Sequence, residues 1–189
     1  VYKQIRTNGS WFVIIAGIIL RKVVGVAFAK IGFIGMGLMG IPMSCRLLTA
    51  GYPVSVWNRN PEKTQIPVSQ GAQAASSIAQ LCNDVDIIML CVSDTAAVQE
   101  IVLAADGVLA NVRPGQIIVD FSSIDPEATR ELALKLASKS CTWLDTPVSG
   151  GVAGAEQGTL AIMAGGDAEV LDTVRPILKT LSQSITRMG

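Results

Sequence analysis

Three glycines, Gly35, Gly37 and Gly40, stand in the spacing G-x-G-x-x-G directly after a short apolar run. In a loop that meets a phosphate, the first glycine allows a tight turn, the second lets the ligand approach the backbone, and the third lets the next helix pack closely. The N-terminus of that helix offers free N–H groups and the positive end of its dipole. The spacing alone is weak, but between a strand and a helix it predicts a dinucleotide site. The predicted cofactor loop is Gly35, Met36, Gly37, Leu38, Met39 and Gly40.

The residues that follow the second predicted strand, Asn58 and Arg59, bear on which dinucleotide binds. A carboxylate here would accept hydrogen bonds from the ribose 2′-OH of NAD, and neither residue has one. The guanidinium of Arg59 can instead pair with the 2′-phosphate of NADP. NADP is therefore favoured. NAD stays open, because Asn58 alone could hydrogen-bond it and Arg59 could be an ordinary solvated charge.

Small polar residues follow the third and fourth predicted strands. Val92 and Ser93 end one strand, and Ser122 and Ser123 follow the other. In open α/β sheets ligands bind at the carboxyl ends of strands, so we expect these residues to line the cofactor site. Ser123 is also a candidate for substrate binding. As an alternative, Ser122 and Ser123 could simply cap the next helix.

A second glycine-rich loop contains Ser149, Gly150 and Gly151. Its hydroxyl and accessible N–H groups suit a small carboxylate, although an ordinary turn has the same composition. Asp120 and Asp145 precede the two polar loops. A catalytic carboxylate pair is disfavoured because nothing in the sequence places them together, and a bracing role is the simpler interpretation.

The sequence contains no histidine, which excludes a Ser-His-Asp triad and a histidine metal site. The 15 acidic and 15 basic side chains balance, so no net field favours nucleic acid or an anionic membrane. The four cysteines lie far apart, without a C-x-x-C pair. We therefore expect reduced, packed thiols and a cytoplasmic protein.

These residues require a scaffold of alternating strands and helices, and the chain supplies one from Lys30 onward. Apolar runs alternate with helical patterns, which predicts an α/β fold with a Rossmann-type, doubly wound, mostly parallel sheet. The predicted strands are 31–34, 54–57, 86–92, 116–121, one beginning at 143, and 159–163. The predicted helices are 39–50, 95–103, 126–138 with Asp125 as its cap, and 168–181.

Residues 1–29 have a different character. Two apolar runs are separated by Arg21 and Lys22, and neither is long enough to cross a bilayer. A signal peptide is conceivable because the sequence at 27–29 has the small-x-small form of a cleavage site, but the two cations interrupt its apolar segment. We expect residues 1–29 to be an extension outside the fold and residues 30–189 to be the domain.

Three segments resemble the β-hydroxyacid dehydrogenase family, the group of 3-hydroxyisobutyrate dehydrogenase, tartronate semialdehyde reductase and glyoxylate/succinic semialdehyde reductase. IGFIGMGLMG (residues 31–40) is similar to the family's opening signature. DFSSI (residues 120–124) resembles the turn under the nicotinamide, and DTPVSGG (residues 145–151) resembles the substrate loop. Where Ser93 stands, family members often have proline. The resemblance implies hydride transfer between NADP(H) and a small 3-hydroxyacid or its semialdehyde, without a metal.

The same resemblance implies that the sequence contains only the N-terminal cofactor domain. The family's acid/base lysine lies on a long helix after this domain, so it would fall beyond Gly189, and Lys139 and Lys179 do not match its position. We expect the all-helical C-terminal domain to be absent, the 189 residues to be inactive alone, and a homo-oligomer only for the full-length form. The alternatives are a non-catalytic dinucleotide-binding module and an oxidative decarboxylase similar to 6-phosphogluconate dehydrogenase.

Overall fold

The computed structural model describes residues 3–7, 10–15, 18–20 and 29–188. The first three stretches are strands β1 (Lys3–Thr7), β2 (Ser10–Ile15) and β3 (Ile18–Leu20), which form an antiparallel sheet of their own in the order β1-β2-β3. The cations at 21–22 and most of the cleavage-like segment at 27–29 lie outside the described residues. From Ala29, which is buried, the chain enters the larger fold.

A six-stranded sheet forms the centre of that fold. Its strands are β4 (Ile31–Ile34), β5 (Val54–Trp57), β6 (Gln73–Ala74), β7 (Ile87–Leu90), β8 (Ile117–Asp120) and β9 (Thr142–Asp145). They lie in the order β6-β5-β4-β7-β8-β9, and every neighbouring pair is parallel. The order reverses between β4 and β7, which creates the crevice where doubly wound sheets bind ligands. The predicted Rossmann-type parallel sheet is confirmed.

The helices are short. They are α1 (Gly40–Thr49), α2 (Gln65–Ser69) after a 3₁₀ turn (Pro61–Thr64), α3 (Ile78–Asp84), α4 (Thr95–Leu103), α5 (Val108–Asn111), α6 (Pro126–Ala137), α7 (Gly151–Gln157) and α8 (Ala168–Leu178). Side-chain caps fix several starts: Asp94 accepts from the N–H of Ala97 at α4, and Asp125 accepts from two N–H groups at α6. Of these two caps, the sequence predicts Asp125.

Two hydrophobic cores cover the two faces of the sheet. Phe33 of β4 packs with α1 and α8 on one face, whereas Ile34 packs with α3, α4 and α6 on the other. This alternation follows from the two-residue period of a strand. Because both faces are covered, the central strands are apolar throughout, as is typical of parallel sheets.

A smaller sheet follows β9 in the chain. In this region the structure differs from the sequence prediction at two places. Strand β11 (Leu160–Ala164) does not join the main sheet but lies between β10 (Val148–Ser149) and β12 (Ser182–Arg187). The predicted helix 168–181 is wrong at its end, because α8 stops at Leu178 and a turn leads into β12. Backbone hydrogen bonds between Asp145 and Gly165 join the small sheet to the main one.

Candidate functional site

A cavity of about 490 Å³ opens at the carboxyl ends of β4, β5 and β7, where the strand order reverses. We call it the cleft. It brings together several residues that the sequence predicts as cofactor ligands, namely Gly35, Met36, Gly37, Asn58, Arg59, Val92 and Ser93. The predicted residues Leu38, Met39 and Gly40 continue the same loop, outside the lining.

The glycines of the loop are required for different reasons. Gly35 has a φ of +102°, and a side chain there would overlap the carbonyl oxygen of Cys91. A Cβ at Gly40 would overlap the carbonyl oxygen of Gly35, so the start of α1 packs directly on the loop. Gly37 differs, because a Cβ there would meet no atom within 4 Å. Gly35 and Gly40 therefore serve the fold, whereas Gly37 leaves open space above the loop.

The N–H groups beside that open space are available to a ligand. Among the described residues, the backbone N–H groups of Gly37, Leu38 and Met39 donate to no acceptor, and α1 has no side-chain cap. Free N–H groups at a helix N-terminus form a ready anion site. The loop thus has the donors and the room that a pyrophosphate requires.

Asn58 links the glycine loop to the loop after β5. Its Oδ1 accepts a hydrogen bond from the N–H of Met36 at 2.9 Å, and its Nδ2 donates to the carbonyl of Asn60 at 2.8 Å. An amide at the end of β5 therefore holds the glycine loop in place. The side chain that could contact a ribose is already engaged in bracing the site.

Two cations, Arg59 and Lys63, line the cleft. A nitrogen of the Arg59 guanidinium lies 3.2 Å from a carboxylate oxygen of Glu100 on α4, and the two side chains are 82% and 63% exposed. Glu100 also lines the cleft. The ion pair therefore joins the β5 loop to α4 across the cleft.

The serine loops after β7 and β8 are connected to each other. The hydroxyl of Ser122, which is buried, accepts a hydrogen bond from the N–H of Val92 at 3.0 Å. Ser93 is exposed and its hydroxyl donates to Asp94 at 2.7 Å, which holds the pKa of that carboxyl below its usual range. Ser122 thus positions the cleft wall from behind, while Ser123 beside it is exposed. Neither Ser122 nor Ser123 lines the cleft.

The second glycine-rich loop joins β10 to α7. Gly150 has a φ of +130° and Gly151 a φ of +59°, conformations that disfavour any other residue. Ser149 is exposed at the end of β10. None of the three lines the cleft. Their backbone is shaped for a sharp turn into a helix, with the hydroxyl and both glycines open to solvent.

Asp120 and Asp145 are neighbours, contrary to the sequence interpretation that left them apart. They are paired in register at the ends of the parallel strands β8 and β9. Asp120 is fully buried: Oδ1 accepts from the N–H of Ser122, and Oδ2 has no partner among the described residues. Burial raises the pKa of Asp120 to about 6, against the lowering effect of the Ser122 hydrogen bonds, and the charge of Asp145 adds to the rise.

A thiol lies near this carboxyl. Burial, and next the charge of Asp120, raise the pKa of Cys91 to about 12, so the thiol stays neutral. All four cysteines are free, and the described residues contain no group of three or more histidine, cysteine or acidic side chains that could hold a metal ion. No helix in the described part is both long and apolar enough to cross a membrane.

Sequence reasoning missed ten of the seventeen residues that line the cleft. The lining residues without a motif signal are Trp57, Asn60, Lys63, Ile78, Cys91, Ala97, Glu100, Ile101, Ala104 and Asp106. Lys63 could have been found, since it is a second cation only four residues after Arg59. The residues of α4 could not, because only the packing of α4 against the β5 loop brings them there.

Comparisons with known proteins agree with this geometry. The family model described as the NAD binding domain of 6-phosphogluconate dehydrogenase matches residues 30–189. The chain is 40% identical over 159 residues to 3-hydroxyisobutyrate dehydrogenase of Pseudomonas aeruginosa, covering 84% of this chain and 53% of that protein. It is 39% identical over 160 residues to 2-hydroxy-3-oxopropionate reductase of Escherichia coli, covering 85% and 54%.

A solved structure of Psf3 in complex with NADP+ and 2-OPP has the same fold. The TM-score is 0.82 at 36% sequence identity, and the match covers 84% of this chain and 56% of that one. The chain therefore spans about half the length of the relatives that it matches.

Proposed function

This chain belongs to the family of NAD-binding domains of the 6-phosphogluconate dehydrogenase type, and from that premise we propose that it serves an oxidoreductase that prefers NADP(H) and acts on a small 3-hydroxyacid or its semialdehyde. The observation that supports this proposal most directly is the cleft at the point where the strand order reverses. There Gly37 leaves open space beside free N–H groups, and Arg59 lies in the same cavity. When bound, the cofactor supplies or accepts the hydride.

We assign the protein's contributions from the loop outward. The N–H groups at Gly37, Leu38 and Met39 hold the pyrophosphate. Arg59 and Lys63 face the 2′-phosphate, with Asn58 bracing the loop between them and the pyrophosphate site. Val92 and Ser93 form the wall toward the nicotinamide, and Ser122 holds that wall through the N–H of Val92. Ser123 follows outside the cleft, where the nicotinamide and the substrate would meet.

The substrate assignment rests on Ser123 and on the loop at 149–151. Their exposed hydroxyls and the turn at Gly150 and Gly151 suit a small carboxylate, which the names of the hydroxyacid-acting relatives support. We propose that this loop holds the acid group of the substrate.

We also propose that these 189 residues bind cofactor without turning over substrate. No histidine can serve as an acid/base group within these 189 residues, since they contain none. Among the described residues, Lys63 is the only lysine that lines the cleft, and it stands beside Arg59 at the proposed phosphate end. General acid/base catalysis contributes about 10²- to 10⁴-fold, so its loss would leave binding intact and activity negligible. The four free thiols support a reducing, cytoplasmic location.

A fluorescence titration of the purified chain with NADPH and with NADH tests the proposed function. We expect NADPH to bind at least about tenfold more tightly than NADH, because a charge-assisted pair with the 2′-phosphate contributes roughly 1.5–3 kcal/mol. Arg59→Ala should remove most of that preference and leave NADH binding nearly unchanged.

The matched control is Arg130→Ala, which removes an exposed arginine that is paired with Glu127 on α6, outside the cleft. It should change neither affinity. Failure of the wild-type chain to bind either dinucleotide would refute the cofactor role. Equal binding of both by the wild type would refute the preference alone.

A further inference from the structure

The ion pair between Arg59 and Glu100 spans the cleft that we assign to the cofactor. Both residues line the cavity, and they come from different elements, the loop after β5 and helix α4. The charged side chains that line the cleft in the described part of the chain are Arg59, Lys63, Glu100 and Asp106. Two positive and two negative charges balance, so the side chains that line the cleft give it no net charge.

The pair is exposed on both sides and is therefore weak and easily opened. Side chains that are 82% and 63% exposed keep most of their hydration, and such pairs typically contribute little to stability. Arg59 is thus held across the cleft by a partner that a stronger anion can replace.

We propose that Glu100 is a specificity-determining residue, which competes with the 2′-phosphate for Arg59 and so lowers the preference of the site for NADP over NAD. This inference rests on the proposed function. The phosphate carries close to two negative charges near neutral pH. To reach the guanidinium it must displace the carboxylate and then tolerate it nearby, which opposes NADP binding through Coulomb repulsion.

NAD does not encounter this opposition. It presents a neutral 2′-hydroxyl where NADP presents the phosphate, so the Arg59–Glu100 pair can remain closed while NAD binds. Neutralising Glu100 should therefore affect the two cofactors differently. The chain without this carboxylate should be the more selective one.

Asp106 provides an internal control. It lines the same cleft but forms no ion pair with Arg59 among the described residues. The change in NADP+ affinity on neutralising Asp106 measures the effect of the overall charge of the cleft. The change on neutralising Glu100 contains that effect and, in addition, the release of Arg59. Glu131→Gln on α6 removes an exposed carboxylate outside the cleft and reports the effect of net charge alone.

The test measures the Kd of NADP+ and NAD+ for the full chain and for Glu100→Gln, Asp106→Asn and Glu131→Gln. We expect Glu100→Gln to bind NADP+ about two- to fivefold more tightly, the range that an exposed ion pair corresponds to, with NAD+ unchanged within twofold. Asp106→Asn should have a smaller effect and Glu131→Gln none. In an Arg59→Ala background, Glu100→Gln should lose most of its effect.

Each other result overturns the inference. Weaker or unchanged NADP+ binding by Glu100→Gln would mean that the carboxylate does not compete. An equal gain with Asp106→Asn, or a full gain without Arg59, would mean that only the general field matters. These results leave the proposed function intact if the wild type binds NADP+ and Arg59→Ala weakens it. Absence of binding by the wild type would instead refute both.

Discussion

At the scale of single residues, Asp120 shows how the sheet holds an unfavourable charge next to the site. Its carboxyl is fully buried at the end of β8, with one oxygen unpartnered in the described part of the chain. An ionised carboxylate in such a place loses hydration that one backbone hydrogen bond does not replace. Asp120 therefore braces the turn before Ser122 at a cost to stability.

That cost depends on pH. The folded-state pKa of about 6 lies above the ordinary value of 3.8, so the unfolded chain ionises first and stability falls as the pH rises between the two values. Above about pH 6 the penalty is fully present. The side chain of Asp120→Asn cannot ionise and does not lose stability in this way. As the pH rises from 4 to 7.5, its unfolding free energy should therefore increase by about 2 kcal/mol relative to that of the wild type.

Urea unfolding at the two pH values measures this difference. The comparison with Glu131→Gln, which removes an exposed carboxylate on α6, corrects for the change in net charge. A constant difference between Asp120→Asn and the wild type across this range would contradict the burial argument.

At the scale of elements, the glycines of the loop before α1 have two different roles, one in folding and one in ligand binding. Gly40 is needed because α1 starts against the carbonyl of Gly35, whereas Gly37 faces open space. Alanine at Gly40 should therefore lower the thermal stability, whereas alanine at Gly37 should lower the affinity for the cofactor.

We expect Gly37→Ala to leave the Tm within a few degrees and to weaken NADPH binding at least about tenfold, because the new methyl group occupies the path of the phosphate. Gly40→Ala should lower the Tm clearly, since overpacking of this kind costs roughly 1–3 kcal/mol. Thermal unfolding and the NADPH titration on both variants measure the two effects. Equal loss of Tm in both would contradict the division.

At the scale of the whole molecule, hydrogen bonds of Lys30 join the start of the larger fold to the segment that begins β7. Its N–H donates to the carboxylate of Asp86 at 3.0 Å, and its carbonyl accepts from the N–H groups of Asp86 and Ile87. The residue before it, Ala29, is buried in the core under the sheet. We propose that the unit needs these two residues and none of those before them.

Two shortened chains test this boundary. A chain that starts at Ala29 should keep the NADPH affinity and lie within a few degrees of the original Tm. A chain that starts at Ile31 should lose roughly 1–3 kcal/mol, because the hydrogen bonds of Lys30 to Asp86 and Ile87 and the buried side chain of Ala29 are lost. Equal loss in both would show that the preceding residues stabilise the unit.

The sequence predicted the parts of the molecule whose signals are local. Strands β4 and β5 and helix α4 were predicted with their observed limits, because a run of apolar residues or a helical apolar pattern marks each of them. Strand β12 was missed because its residues are mostly polar and exposed, and it is defined by pairing with β11. Glu100 was missed for the same reason at the site, since only tertiary packing brings α4 opposite Arg59.

The order of the strands also determines how long β4 remains without one of its two neighbouring strands while the chain is being synthesised. The first strand of the unit, β4, is one of the two central strands, and β7 is the other. The hydrogen bond from Lys30 to Asp86, next to the pairing of β4 with β7, joins residues 56 positions apart. At about 5–20 residues per second, the ribosome needs on the order of 3–10 s to supply that partner. Throughout that interval the apolar residues of β4 in the nascent chain lack their partner strand β7. The glycine loop also lacks Cys91, the residue after β7 against which Gly35 packs. Unpaired strand edges of this kind are prone to aggregate, so β4 is exposed to that risk until β7 has been made.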